Sequence, residues 1–273
     1  MQPICADRAV FTPAAHATPQ PLFPSALPRQ SAPYIFLTSR HRSRSKYALA
    51  CNAALATETL KQELLQALES GEQTLRTGVL TPEVEAIVTR LKAAASEQPP
   101  QLQPELLNGT FSGLLITTNY LAVDSSSTLG TLTFQQFAPK DLKVMVSGTE
   151  MLSGVASPEH YQTNTYFEVS EGEGTGLAGI QSAIGAYEVD ADKAGRQVVY
   201  FKAIKIAPVD SGKDALQRWL DVFKAENPSM GDDGVAMIEF PQRAKGTRDF
   251  ILLDEDMQVT VGNRGSVVIV KRR

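Results

Sequence analysis

Beyond Pro104 the chain alternates apolar and polar residues in short runs separated by turn residues, and this rhythm constrains its fold more than any other feature. Leu114–Thr118, Thr131–Phe137, Leu142–Val146, Thr165–Val169, Gln197–Ile206, Val235–Phe240, Arg248–Leu253, Met257–Val261 and Ser266–Lys271 each read as a half-buried strand. Nine candidate strands with almost no helix between them predict a mainly β fold, an antiparallel barrel or a sandwich. The exception is Lys213–Glu226, where Leu216, Trp219, Leu220 and Phe223 share one helical face and Asn227-Pro228 stops the run. Its polar face carries Asp214, Asp221 and Glu226, which suits a brace packed on the sheet better than a membrane anchor. A barrel of about eight strands is just wide enough for one small apolar ligand, so lipid or pigment binding becomes the natural question.

Residues 53–104 have helical periodicity instead. From Thr57, Leu60, Leu64, Leu65 and Leu68 fall on one face, Thr59 and Gln62 can form a capping box, and Gly71 ends the run. A second helix starts with Thr81 as its cap and Pro82 in the first position, carries Val84, Ile87, Val88 and Leu91 as a stripe, and stops before Pro99-Pro100. The two predict a short helical hairpin ahead of the main domain, residues 105–273.

Residues 1–52 are of another kind. Six basic residues stand against Asp7 alone, a net charge of +5, while the other 20 basic and 29 acidic residues leave the remainder at −9. Up to Ala56 there is no glycine, and seven of the sixteen prolines fall here. The longest apolar core, Tyr34–Leu37, is too short for a secretory signal. An Arg- and Ser-rich, acid-poor segment whose prolines would break an amphipathic import helix is expected to be a disordered chloroplast transit peptide, cleaved near Ala50–Ala54. The basic patch Arg40–Lys46 is short and the rest is acidic, so no nucleic-acid partner is expected. Mean hydropathy is −0.14, and no apolar stretch approaches the ~18–20 residues of a transmembrane helix.

Candidate chemistry is sparse. Cys5 and Cys51 are too few for a disulfide framework or a structural metal site, and His160 is the lone histidine beyond the targeting segment, placed in a turn. No metal, cofactor or catalytic residue is expected. Gly174, Gly176 and Gly179 match a dinucleotide fingerprint, but they do not open a proper helix and antiparallel strands surround them, so a flexible inter-strand loop is expected. Asp254, Glu255 and Asp256 read as a solvated hairpin turn, and Asn108-Gly109-Thr110 as a tight turn into the first strand.

Two segments are more specific. Leu106-Leu107-Asn108-Gly109-Thr110-Phe111, leading into Leu115-Ile116-Thr117-Thr118-Asn119, resembles the opening strand of the plastid-lipid-associated protein, or plastid fibrillin, family. Leu253-Asp254-Glu255-Asp256, followed by Gly262-Asn263-Arg264-Gly265-Ser266-Val267, is similar to that family's closing hairpin, and Leu129–Gln136 falls where the family has its second strand. The resemblance covers roughly residues 57–271, with Asn108, Gly109, Asp254, Asp256, Gly262 and Gly265 as its motif positions.

The resemblance implies a lipocalin-like antiparallel β-barrel in chloroplasts. It implies a non-catalytic protein that binds or organises lipids, carotenoids or prenylquinones at thylakoids or plastoglobules. Phe111 replaces the family's usual Trp, and Gln258 and Val261 stand where the closing strand usually carries two arginines. In such barrels an arginine of the last strand often covers an aromatic of the first. With both changed, the floor is expected to close by apolar packing alone. Phe111, Phe134, Phe137, Tyr166, Tyr200 and Phe201 are the candidate cavity liners. Rival readings are an interaction scaffold for a plastid isoprenoid or quinone biosynthetic enzyme, or a lipocalin-like pigment-modifying enzyme with Asp254 or Asp256 as its acid.

Overall fold

The computed structural model describes residues 40–70, 80–117 and 127–273. The expected transit peptide up to residue 39, Gly71, and Thr118-Asn119 lie outside them. Residues up to Arg44 separate from one compact unit, Ser45–Arg273. The elements are α1 (Arg40–Glu69), α2 (Pro82–Glu97), α3 (Pro104–Leu107), β1 (Gly109–Ile116), α4 (Leu129–Leu132), β2 (Val144–Ser153), β3 (His160–Val169), β4 (Ala178–Val189), β5 (Arg196–Pro208), α5 (Lys213–Phe223), β6 (Ala236–Leu253), β7 (Met257–Gly262) and β8 (Val267–Arg272).

Each strand pairs antiparallel with the next, and β8 returns to pair with β1, so the eight strands close into a barrel with no free edge. This settles the barrel-or-sandwich alternative. Four departures from the expected strands have local causes. Thr131–Phe137 is not a strand: Thr128 Oγ1 caps Thr131 N–H, Thr133 Oγ1 donates to Leu129 O, and α4 forms before Phe134 and Gln135 turn left-handed at φ 54° and 63°. Val235–Phe240 and Arg248–Leu253 are one strand, β6, whose pairing with β5 shifts between Glu239 and Ala244, where Pro241 has no N–H to offer.

β4 was not expected at all, because Gly179, Ser182, Ala183 and Gly185 give it little apolar bulk. Gly179 is small of necessity: a Cβ there would lie 2.4 Å from Phe167 and 2.6 Å from Trp219. Finally, His160 opens β3 rather than lying in a turn. Burial, and then the Lys202 ammonium, hold its imidazole below the usual histidine range.

The helical prefix differs at one end. α1 begins at Arg40, inside the segment expected to be disordered, because that segment's last proline is Pro33 and residues 47–54 include four alanines. Thr59 therefore lies within the helix, donating to Leu55 O, and Gln62 donates to Glu58, so no capping box forms there. α2 starts as expected, with Thr81 Oγ1 accepting from Val84 N–H and Pro82 in the first turn. Leu60, Leu64 and Ala67 of α1 and Val84, Ile87, Val88 and Leu91 of α2 pack on the outer face of β6, β7, β8 and β1, against Ile251, Met257, Val259, Val267, Ile269 and Leu115. That covering explains why β7 is buried on both faces.

Inside the barrel, apolar clusters fill both ends. At one end Phe137, Val144, Val146, Phe167, Ile204 and Ile206 pack beneath Trp219 and Phe223 of α5, confirming that helix as a brace against the sheet. Trp219 Nε1 donates to Gly234 O at 2.8 Å, which satisfies its indole while both rings stay buried. At the other end Leu107 of α3 joins Phe111, Met151, Tyr161, Tyr187, Val199 and Phe250.

Candidate functional site in the barrel interior

Strand register decides which candidate residues reach the interior. Phe111 pairs with Met151 on the inner face and is fully buried, and Phe201 faces Gly185 and meets the Tyr161 ring edge-on at 6.0 Å. Phe137 is buried in the cluster beneath α5. The other three candidate liners are elsewhere. Phe134 is 44% exposed on the left-handed turn after α4. Tyr166 alternates with the inward Phe167 and gives its hydroxyl to Glu150 at 3.4 Å. Tyr200 alternates with the inward Val199, bonds Glu188, and lies beneath the Lys245 ammonium at 5.7 Å. Period-two geometry sends both tyrosines outward.

The floor contradicts the expectation of apolar packing alone. Arg272, on the last strand, holds its guanidinium 4.7 Å from the Phe111 ring. It also donates to four main-chain carbonyls: Glu255 at 2.6 Å, Asn108 at 2.7 Å, Leu106 at 2.9 Å and Glu105 at 3.2 Å. Gln258, which takes an expected arginine position, donates to Leu106 O at 3.0 Å and helps fasten α3 under the barrel. Gly109, at φ +144°, lets the Arg272 side chain pass, since a Cβ would lie 2.4 Å from Nη1. Asn108 accepts from Tyr187 Oη at 2.6 Å, and burial pushes that phenol up, keeping it a donor.

The acidic turn is an anchor for α1. Lys61, 6% exposed, ion-pairs with Asp254 at 2.8 Å and Asp256 at 3.1 Å. Burial opposes its charge, but the hydrogen bonds and field of the two carboxylates hold the ammonium above the ordinary lysine value. Asp254 Oδ1 also accepts from the Asp256 and Met257 N–H groups, which shapes the turn. Both carboxylates lie outside the barrel. The glycine-rich segment Gly172–Gly176 is likewise a hairpin connection between β3 and β4, with Gly172, Gly174 and Gly176 at positive φ and no helix opened. Gly262 and Gly265 shape the β7–β8 hairpin, Gly262 N–H donating to Ser266 O at 2.8 Å.

Two separate groups of buried polar residues, neither announced by the sequence, interrupt the apolar lining of the barrel. Thr149, Thr165 and Gln181 are successive partners across β2, β3 and β4, on the same face as Met151, Thr163 and Ala183. Gln197 and Arg248 are partners across β5 and β6, with Gln258 and Thr260 beside them on β7. The Arg248 guanidinium lies 5.4 Å from the Tyr161 ring of β3, a strand on another side of the barrel, so it points inward. Thr149 Oγ1, Gln181 Nε2 and Gln197 Nε2 are buried with no hydrogen-bond partner among the described residues. The signal available was period two: Arg248 and Phe250 are two apart and share a face.

Two surface clefts lie outside the barrel. One of about 220 Å³ lies between α1 and the β7–β8 edge, around Lys61 and Lys271, and one of about 260 Å³ lies beside Trp219 and Arg218. In comparisons with known proteins, no family model, no curated protein and no solved structure matches the chain.

Proposed function

We propose that the chain is a non-catalytic plastid lipid-binding protein of lipocalin-like build, whose barrel accepts an apolar molecule such as a lipid, carotenoid or prenylquinone. The observation that carries this reading is the set of buried, unpartnered polar groups on the inner face of an otherwise apolar barrel. A barrel built only for stability would satisfy or exclude its interior polar groups, because each buried unsatisfied donor or acceptor costs about 1–3 kcal/mol. Retaining such groups on the inner face, Thr149 Oγ1, Gln181 Nε2 and Gln197 Nε2 among them, suits a site that meets the polar part of a largely apolar guest. The resemblance of the opening and closing segments to plastid fibrillins supports the same assignment, with residues 1–52 as the plastid address and thylakoids or plastoglobules as the surface visited.

The part beyond Asn52 carries a net charge of −9, so contact with an anionic lipid surface must rest on apolar burial rather than attraction. Binding to such vesicles is therefore expected to withstand added salt. The deciding experiment is native mass spectrometry with organic extraction on the protein purified from plastids. A stoichiometric lipid, carotenoid or quinone is the expected result. A folded, empty barrel that instead co-purifies with an isoprenoid-pathway enzyme would overturn lipid binding in favour of a scaffold.

A further inference from the structure

The glycine-rich connection between β3 and β4 takes no part in the barrel interior, yet its backbone is unusual. Gly172, Gly174 and Gly176 lie at φ +85°, +88° and +84°. At Gly174 a Cβ would come within 2.9 Å of Val222, so the hairpin rests on α5 there. At Gly172 and Gly176 a Cβ would meet nothing within 4 Å, so these glycines supply backbone freedom rather than room for a neighbour. Thr175 stands between the last two, exposed, with its hydroxyl donating to Gly172 O at 2.6 Å. Arg218 of α5 reaches it from the side, Nη2 donating to Thr175 O at 3.2 Å. Among the described residues that is the one hydrogen bond of an exposed guanidinium with five N–H groups, and it forms no ion pair. Nearby, Asp221 accepts from Gln217 at 2.8 Å, and Asp210, which lines the cleft beside Arg218, accepts from Gly212 N–H at 2.8 Å.

Two requirements of a phosphorylation site meet here. A kinase must draw the acceptor hydroxyl out on an extended segment, which the flanking glycines permit. The phosphate must then find a cation, since Glu171 and Glu173, both exposed on the same turn, would otherwise repel it. We propose that Thr175 is a phosphorylation site whose phosphate is received by Arg218, fastening the β3–β4 hairpin to α5 over the apolar end of the barrel. The co-reactant is a nucleoside triphosphate held by a protein kinase. Thr175 Oγ1 attacks its terminal phosphorus, the Oγ1–P bond forms as the bond to the departing nucleoside diphosphate breaks, and the hydroxyl proton passes to the kinase's base. The carbonyl that Arg218 already meets belongs to the same residue, so a phosphate on Oγ1 falls within reach of the remaining guanidinium N–H groups. It brings three acceptor oxygens and about −1.5 to −2 charge at neutral pH, enough to hold the arginine in competition with Asp210.

The test compares the full chain with and without phosphothreonine installed at residue 175 through an expanded genetic code, in wild type and in Arg218→Gln. In wild type the phosphate is expected to raise the melting temperature by about 2–4 °C and to slow amide exchange in α5 about five- to tenfold. In Arg218→Gln it should instead lower the melting temperature, because Glu171 and Glu173 then face it with no counter-charge. Arg218→Lys, which keeps the charge and loses the planar fork, should recover part of the gain. Phosphopeptide mass spectrometry on the protein from its native tissue should find the modified threonine.

A phosphate that leaves both the melting temperature and α5 exchange of wild type unchanged would overturn Arg218 as its receiver, even should the glutamine variant not fold. A stabilisation that survives Arg218→Gln would overturn it too, placing the phosphate on another partner. Native peptides spanning Thr175 that carry no phosphate, or carry it on Ser170, would overturn the site itself. None of these results bears on lipid binding, which the extraction experiment decides.

Discussion

Replacing Arg272 with alanine tests whether the barrel floor depends on that side chain or on the apolar packing around it. The guanidinium makes four hydrogen bonds to main-chain carbonyls, from 2.6 to 3.2 Å, and covers Phe111 at 4.7 Å. A hydrogen bond from a charged donor contributes about 1.5–3 kcal/mol net when its loss strands a buried partner. Arg272 is only half-buried, so water can reach part of the group it leaves, and the four bonds are far from additive. Counting the equivalent of one to two full bonds and about 0.5–1 kcal/mol for the ring contact gives about 3 kcal/mol for Arg272→Ala. Arg272→Lys keeps the charge but can reach only one or two carbonyls, and should lose about half as much. Urea denaturation followed by intrinsic fluorescence should show a lowered midpoint with an unchanged slope. A double-mutant cycle with Phe111→Leu should return a coupling of about 0.5–1 kcal/mol. A loss below about 0.5 kcal/mol for Arg272→Ala would refute the reasoning and return the floor to Leu107, Phe111 and Phe250.

Three further outcomes are expected. Lys61→Met should cost about 1 kcal/mol at neutral pH, because Asp254 and Asp256, at 30% and 71% side-chain exposure, rehydrate when the cation goes. Since the folded state raises the Lys61 pKa above 10.5, its contribution is full below that value and lost as pH rises through the folded-state value; thermal melts should show an alkaline decline that Lys61→Met lacks. Asp249 behaves in the opposite sense. The Arg196 hydrogen bond outweighs burial and holds its carboxyl below 3.8, so its contribution is present above that pH and lost below it, and Asp249→Asn should flatten the acid limb of the stability profile. Asn227→Ala removes three side-chain to main-chain bonds, to Ala138 N and O at 3.1 and 2.7 Å and Phe223 O at 2.7 Å. It should cost about 2–3 kcal/mol and speed amide exchange in α5 before the barrel, measured by hydrogen–deuterium exchange.

Elements with bulk and strict alternation were legible from the chain. β3, β5, β7 and β8 fall where Thr165–Val169, Gln197–Ile206, Met257–Val261 and Ser266–Lys271 predict strands, because inward Val, Ile and Phe alternate with polar neighbours there. α2 and α5 were equally legible, one from its Thr-Pro start and the other from Asn-Pro beyond its end. Where side-chain volume is low, the pattern fails. β4 packs Gly179 under Trp219 and Gly185 against the Tyr200 backbone, so the strand is defined by what its partners need and not by its own hydrophobicity. α4 fails for another reason: Thr128 and Thr133 hydrogen-bond the local backbone and override the short alternation of Leu132 and Phe134 with their threonine neighbours.

The interior was harder to read, because a sequence shows which residues alternate but not where bulges reverse the sense. Register shifts at Val146–Gly148, Phe201–Ala203 and Phe250–Leu252 each move the following residues to the other face. The aromatic candidates therefore divide: Phe111 and Phe201 face the interior, whereas the hydroxyls of Tyr166 and Tyr200 find Glu150 and Glu188 on the outside. Choosing liners by aromaticity missed Arg248, since a charge at a strand position is ordinarily a solvated one. Only closure of β8 onto β1 makes the inner face inescapable, and a charge on that face has no route to water except along the axis. The Arg272 and Arg248 pair thus divides the labour that one reading had assigned to apolar packing. Arg272 meets backbone carbonyls that fasten α3, so its needs are met within the chain, whereas Arg248 meets two amides and a hydroxyl that leave its charge unbalanced. Stability accounts for the first arginine; the neutral partners of the second leave its charge unbalanced.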